Sequence, residues 1–225
     1  SVEQTVYIND IPSNEFEKWL AIESDRFSEL VLRLFHTELE AVYEEYNRGV
    51  DNDYRKSYEA MSKQLFKKHP YGTQTTIGTS EHLKNPSMEK IHQYFSERYV
   101  PNNMAIVLAG DIDPDKTIGL ITKYFGSYKK KEVPKFTFEP EDEMKTPEEV
   151  VVIGSDAEWV NIGFRIPGVD DKDVYMLPLL KSLLYNGQAG LMDLNLVKSQ
   201  KVLSAYAYDD LNRDYATLQF GANPR

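Results

Sequence analysis

Phe-His-Thr-Glu-Leu-Glu-Ala-Val-Tyr-Glu-Glu-Tyr-Asn-Arg, residues 35–48, is a helix-forming run that places Glu38 and Glu45 seven residues apart. Seven residues fall only about 20° short of two helical turns, so both carboxylates leave one face, about 10 Å apart along the axis. Val42 lies between them. This spacing is compatible with a metal ligand and a supporting acid, but by itself it favours a solvated acidic face.

Further helices are predicted on both sides of this run, from apolar residues at helical spacing and from residues that favour helix ends. One follows Ser13 or Asn14. A long helical region over about 34–68 is interrupted near Gly49. Others begin at 85–87, at Asp113 as N-cap, and at about 171.

Alternating or continuous apolar runs predict strands, and a change in composition predicts a linker. The strands are expected near 2–8, 103–110, 149–154, 158–166, 202–208 and 215–221. Residues 128–148 contain three lysines in a row, three prolines and many acids, without a helical stripe. The sequence therefore predicts an α+β protein with one domain part in 1–127, a linker in 128–148 and a second domain part in 149–225.

The composition supports a packed core and disfavours several kinds of partner. The 225 residues are 41% hydrophobic and 12% aromatic. A net charge of −10 disfavours binding to nucleic acid or to an anionic membrane surface. With no cysteine, disulfides and thiolate metal sites are excluded. No run of 18 apolar residues occurs, so we predict no membrane span.

Several segments that occur in one order carry a resemblance to a known family. They are 38–45, Lys-His-Pro-Tyr-Gly at 68–72, Arg-Tyr-Val-Pro-Asn-Asn-Met-Ala-Ile-Val-Leu-Ala-Gly-Asp at 98–111, Ile-Gly-Phe-Arg-Ile-Pro at 162–167, and Asn-Gly-Gln-Ala-Gly at 186–190. Together they resemble the inverted-zincin (M16-type) peptidases, the family of pitrilysin and the mitochondrial processing peptidase. The resemblance implies the C-terminal part of a first M16-type domain in 1–127, followed after the linker by the N-terminal part of its pseudo-repeat in 149–225. The sheets are then antiparallel-rich, with helices packed on one face.

The resemblance also implies site residues. Members bind zinc through the two histidines of a His-x-x-Glu-His helix and one distant glutamate. Glu45 matches that glutamate and would be a metal ligand, while Glu38 matches a supporting acid near the site. Glu44 is rotated about 100° away from Glu45. The four histidines, His36, His69, His82 and His92, form no such motif. We therefore expect the motif upstream of Ser1, and expect this chain alone to be inactive and not to bind zinc.

The implied function is that of a zinc metalloendopeptidase that hydrolyses peptides or small unfolded proteins with a zinc-activated water. The expected partners are peptide substrates and a second M16-type half or subunit. Self-association is also expected, through part of the apolar face of the 35–47 helix and an open edge of the 2–8 strand. Family analogy favours a periplasmic or other extracytoplasmic location. Two alternatives stay open: a non-catalytic subunit that serves as scaffold or partner of an active peptidase, and a module that binds basic peptides.

The remaining candidates receive structural interpretations. His69 is expected to order its Pro-Tyr-Gly loop, and Tyr71 to pack in that loop or to serve in it. His82 and His92 are expected at the surface or at the edge of the core. Asp113 belongs to a cluster of alternate acids that lacks the glycine and the final glutamate of an EF-hand, so it is read as a helix cap.

Overall fold

The computed structural model describes residues 2–225, which form two compact units. Unit 1 contains the N-terminal residues up to Thr5, Glu45–Gly78 and Phe138–Arg225. Unit 2 contains Val6–Glu44 and Thr79–Thr137. Each unit is therefore assembled from stretches that are far apart in the sequence. The predicted combination of helices with an antiparallel sheet is confirmed.

The longer helices follow the predicted pattern, and two short helices at 70–73 and 80–84 were not predicted. The described residues contain α1 Phe16–Ser28, α2 Phe35–Val50, α3 Asp53–Leu65, α4 Pro70–Thr73, α5 Ser80–Lys84, α6 Met88–Arg98, α7 Pro114–Phe125 and α8 Leu177–Leu184. Short 3₁₀ turns lie at Ser13–Glu15, Pro101–Asn103 and Lys172–Met176, and a π-helical turn lies at Asp193–Val197.

Polar side chains cap several of these helices. Asp113 accepts hydrogen bonds from the backbone N–H groups of Asp115 and Lys116, so its predicted role as the cap of α7 is confirmed. Asn52 accepts from Arg55 N–H at the start of α3. A side-chain oxygen at this position satisfies an N–H group that has no partner inside the helix. The predicted interruption near Gly49 is thus the junction between α2 and α3.

Unit 1 contains a three-stranded antiparallel sheet in the order β1-β3-β2. The strands are β1 Val160–Pro167, β2 Val202–Leu211 and β3 Tyr215–Pro224. Ile162 pairs with Phe220, and Phe164 pairs with Leu218. These strands confirm the predictions near 158–166, 202–208 and 215–221.

Helices cover both faces of this sheet. On one face, Val174 and Leu177 form a buried cluster with Ala216 and Leu218 of β3. On the other face α3 passes close to β1, because a Cβ placed on Gly163 would lie 2.8 Å from Met61 Sδ. The coverage of the second face by α3 was not anticipated from the sequence.

Unit 2 is built around α1 and α7. Leu20 of α1 is completely buried, and Ser24 Oγ donates to the Tyr124 carbonyl of α7 at 2.8 Å. Beside them Tyr99 stacks on Phe95, with ring centroids 4.6 Å apart, and on Phe27. Helix packing and aromatic contacts therefore hold this unit together.

Three predicted strands do not form among residues 2–225. The segments 2–8, 103–110 and 149–154 are irregular apart from short turns, and they belong to no sheet. Ile8, Val107 and Ile153 are more than 80% exposed. A strand needs a neighbour to satisfy its backbone N–H and C=O groups, and none of these segments has one in the described part of the chain.

Candidate functional site

Glu38 and Glu45 both lie in α2, as predicted, and both are exposed. Two helical turns separate them, which gives the common face expected from their spacing. Among residues 2–225 neither carboxylate has a hydrogen bond or an ion pair within α2 or with its surroundings. No side chain of α2 is fully buried. The helix thus presents these acids on a regular backbone and leaves their oxygens available.

Among the described residues, Glu45 could supply one ligand of a zinc site, but the other ligands are not found. Catalytic zinc takes three protein ligands and keeps an open position for water. Within residues 2–225 no three His, Asp or Glu side chains lie close enough together to share a metal ion. His36, His82 and His92 are exposed. Glu45 is therefore a carboxylate of suitable chemistry without companion ligands in this part of the protein.

His69 is fully buried and orders its loop, as expected from the sequence. Its Nδ1 accepts the Tyr71 N–H at 3.2 Å and so caps α4. Its Nε2 lies 3.3 Å from Asp214 Oδ2, so Nε2 carries the hydrogen and donates it. The ring packs edge-on against Tyr71 and Phe138, with centroids 4.1 and 4.4 Å away. The neutral imidazole is thus committed to structure.

Tyr71, which packs against the His69 ring, links the N-terminal residues of unit 1 to the turn between β2 and β3. Its hydroxyl donates to Glu3 and accepts the Asp214 N–H. Glu3 also accepts the Arg213 N–H, at 2.9 Å. Burial and the bond to Glu3 raise the pKa of Tyr71. The tyrosine therefore has a defined hydrogen-bonding role in addition to its packing.

Asp53 anchors the start of α3. It is only 3% exposed, and its Oδ2 accepts the N–H groups of Asp156 and Ser155 at 2.9 and 2.6 Å. Lys56 Nζ lies 3.0 Å from Oδ1. The bonds from Asp156 and Lys56 lower the pKa of Asp53 to about 2. The carboxylate therefore stays ionised at neutral pH and holds the 154–156 turn.

A second acid, Glu141, has a side chain that is only 3% exposed and holds the segment that follows α3. Its Oε1 accepts the N–H groups of Lys68 and His69 at 2.6 and 2.7 Å, and Arg165 Nη1 lies 3.5 Å from Oε2. Burial raises its pKa, but the backbone donors of His69 and Lys68 outweigh burial and lower it overall. Residues near 141, within the predicted linker, therefore belong to unit 1 and contact its residues 68–69.

Sequence reasoning missed these two acids because their partners are distant in the sequence. Asp53 bonds to residues about 100 positions away, and Glu141 to residues more than 70 positions away. A local signal existed for Asp53, since Gly154 precedes its partner Ser155 and glycine permits close approach. No local signal distinguishes Glu141 from the other acids around it.

A membrane-spanning helix is not found in the described part of the chain, since none of its helices is both long and apolar enough.

The relatives found by comparison with known proteins are named zinc proteases. Zinc protease PqqE of Helicobacter pylori is 29% identical over 163 residues, which are 69% of this chain and 36% of that protein. The uncharacterized zinc protease YmxG of Bacillus subtilis is 27% identical over 189 residues, which are 80% of this chain and 44% of that protein. The matched region thus spans less than half the length of these relatives.

Solved structures show the same fold. A protease from Helicobacter pylori superposes with a TM-score of 0.78 and 25% identity, over 96% of this chain and 54% of that one. An M16-like peptidase from Alicyclobacillus acidocaldarius gives a TM-score of 0.71 at 18% identity, over 93% of this chain and 52% of that one.

The family assignment rests on more than half of the chain. Residues 86–225 match the family described as Peptidase M16 inactive domain. Glu38 and Glu45 lie before this region. From the matched region, the relatives and the fold together, the chain belongs to the M16 peptidase family.

Proposed function

We propose that this chain is part of a zinc metalloendopeptidase that hydrolyses peptides or small unfolded proteins, with Glu45 as one zinc ligand. The observation that carries the proposal is Glu45 itself, an exposed carboxylate on a regular helix in a member of a family whose relatives are named zinc proteases. Bound zinc would supply Lewis-acid activation of water for hydrolysis. The described residues lack the other ligands, so we expect this chain alone to be inactive.

In the proposed site Glu38 supports the metal-bearing helix from two turns before Glu45. Supporting acids orient ligands and tune the metal without being principal ligands. We further propose the domain parts 1–127 and 149–225, and an extracytoplasmic location by family analogy.

The decisive experiment measures zinc in the full-length protein and in its Glu45→Gln variant by elemental mass spectrometry. About one zinc per chain, lost or sharply reduced in the variant, is the expected result, since catalytic sites hold one ion through three protein ligands. Zinc that is unaffected by the substitution would show that Glu45 is not a ligand. A full-length protein without zinc would favour the non-catalytic subunit.

Glu44→Gln is the matched control. The residue is adjacent to Glu45 and carries the same charge, but it points about 100° away around the helix. A general loss of negative charge on α2 would affect both variants equally, whereas loss of a ligand affects Glu45→Gln alone. If the chain is instead a module that binds basic peptides, it should bind a cationic peptide in the presence of a chelator. Absence of binding would exclude that role.

The expected contact through a 2–8 strand is wrong, because residues 2–8 form no strand. We propose instead that this chain self-associates through the edge of β1. The strand has no neighbour on its outer side among residues 2–225, and Val160, Ile162 and Phe164 are at least half exposed. Open edges with apolar side chains pair readily with another strand. Sedimentation at micromolar concentration is expected to show a dimer or larger assembly, and a folded monomer at all concentrations would contradict this.

A further inference from the structure

A small cavity lies in unit 1, between α3 and the hairpin formed by β2 and β3. Its volume is about 20 Å³, which is room for about one water molecule. Tyr58, Ser62 and Leu65 of α3 line one side of it. Their spacing of four and three residues places them on one face of the helix, and Ser62 and Leu65 are buried. One wall of the cavity is therefore a regular face of α3.

The opposite wall is built from two pairs of facing residues in the hairpin. Asp210 pairs with Thr217, and Tyr208 pairs with Gln219. Facing residues of antiparallel strands, and residues two apart in one strand, lie on the same face of a sheet. Gln219 is buried, its Nε2 donates to Thr217 Oγ1 at 3.2 Å, and its Oε1 accepts the Tyr208 hydroxyl. The polar atoms of this wall are thus held in place by each other.

Among the described residues that line the cavity, Asp210 alone is charged. It is half-buried, and within residues 2–225 its carboxylate makes no hydrogen bond and no ion pair. Burial, and after it the charge of Asp210, raise the pKa of the Tyr58 hydroxyl, so the carboxylate acts on the α3 wall as well. The other polar lining residues all carry a side-chain oxygen: Tyr58, Ser62, Tyr71, Asn212, Thr217 and Gln219.

A negative charge without a counter-charge, surrounded by neutral oxygens, matches a cation. The size of the cavity and the single carboxylate distinguish between kinds of cation. Mg²⁺ usually keeps several of its waters, and Ca²⁺ takes six to eight oxygen ligands with several carboxylates among them. Neither fits a space for one water molecule beside one acid. Potassium exchanges its hydration shell for neutral protein oxygens, and ammonium is close to water in size.

We propose that this cavity binds one monovalent cation of the size of potassium or ammonium, with the Asp210 carboxylate as its counter-charge. The neutral oxygens of α3 and of the hairpin take the place of water around the ion. The bound ion joins α3 to the hairpin and so stabilises unit 1. This site is separate from the zinc proposed at Glu45, which does not line the cavity.

The test compares the Tm of the protein in potassium chloride and in tetramethylammonium chloride at equal ionic strength, measured by circular dichroism. Tetramethylammonium carries the same charge but is too large for a space of one water molecule. We expect the Tm to be higher in potassium by about 2–4 °C, because an ion that binds only the folded state stabilises it. Ammonium should act like potassium. Equal Tm values in all three salts would overturn the proposal.

Asp210→Asn keeps the shape of the side chain and removes its charge, so it should abolish the difference between the salts. Asp209→Asn is the matched control. Asp209 is adjacent, lies on the other face of β2 and contacts Lys181. Its loss should lower the Tm in every salt and leave the potassium effect unchanged. A potassium effect that survives Asp210→Asn would overturn the assignment to this cavity.

Crystals of the protein grown in rubidium chloride give a test that needs no variant. Rubidium replaces potassium in such sites, and its anomalous scattering locates it. We expect an anomalous peak inside the cavity, beside the Asp210 carboxylate. A density without anomalous signal would show that the cavity holds only a water molecule, and a peak elsewhere on the surface would assign the potassium effect to another place. Either result would overturn the proposal.

Discussion

The carboxylate of Asp53 fills the space that a side chain at residue 154 would need. A Cβ on Gly154 would overlap Cγ and both oxygens of Asp53. The same carboxylate accepts the N–H groups of the two residues that follow Gly154. Glycine at 154 is thus what lets the turn close over the acid that begins α3.

Gly154→Ala should lower the Tm, because the added methyl group displaces the carboxylate from its backbone donors. Thermal unfolding monitored by circular dichroism measures the effect. In a double-mutant cycle the loss from Gly154→Ala should be much smaller when Asp53 is already alanine, since contacting residues are not additive. Equal losses in both backgrounds would show that the methyl group conflicts with something other than Asp53.

The lowered pKa of Asp53 predicts an acid-sensitive contribution to stability. Its pKa falls from 3.8 to about 2 on folding, so the unfolded chain binds the proton more readily. The contribution of Asp53 is therefore complete above about pH 5 and is lost as the pH falls from about 4 to 2. Asp53→Asn should flatten the fall in unfolding free energy within that window, measured by denaturant titration at several pH values. An unchanged slope would contradict the assignment.

Glu141→Gln should destabilise the protein by about 1–3 kcal/mol, because a buried charged acceptor of two backbone N–H groups becomes neutral beside Arg165. Urea unfolding is the measurement. Glu139→Gln is the matched control, since the Glu139 side chain is 73% exposed and also contacts Lys68. It should change stability by less than about 0.5 kcal/mol. Equal effects would place Glu141 among ordinary surface acids.

Gly119→Ala should stabilise the protein by about 0.5–1 kcal/mol. Gly119 is exposed within α7, and a Cβ there would meet no atom within 4 Å. The gain comes from the lower backbone entropy of alanine in the unfolded chain. Urea unfolding measures it. Gly126→Ala, at the end of the same helix, would bring a Cβ onto the Thr122 carbonyl and should not stabilise.

Local signals in the sequence were sufficient for the helices longer than five residues and for half of the strands. Asp113 and the residues around Gly49 mark helix ends through short-range chemistry, and the structure has the ends there. Apolar patterns also located β1, β2 and β3. The same kind of pattern at 103–110 gave no strand, because a strand needs a neighbour, and the position of that neighbour in the chain is not recorded in the local pattern.

The candidate site was predictable only in part. The helix that carries Glu38 and Glu45, and their shared face, follow from spacing. Their assignment to zinc comes from the family resemblance, since an exposed glutamate on a helix has no distinguishing pattern of its own. The cavity beside Asp210 depends on how α3 lies over the hairpin of β2 and β3, which no periodicity records.

The bond from the Arg213 N–H to Glu3 joins residues 210 positions apart, and it sets an order of events during synthesis. Unit 1 uses residues near the start of this sequence together with Phe138–Arg225, so it cannot close before its last strands have left the ribosome. The stretch that forms most of unit 2 emerges earlier. Contacts of such long sequence separation slow folding. Leu65, which is buried on α3 beside β1, therefore stays uncovered until the strands of the sheet have been synthesised.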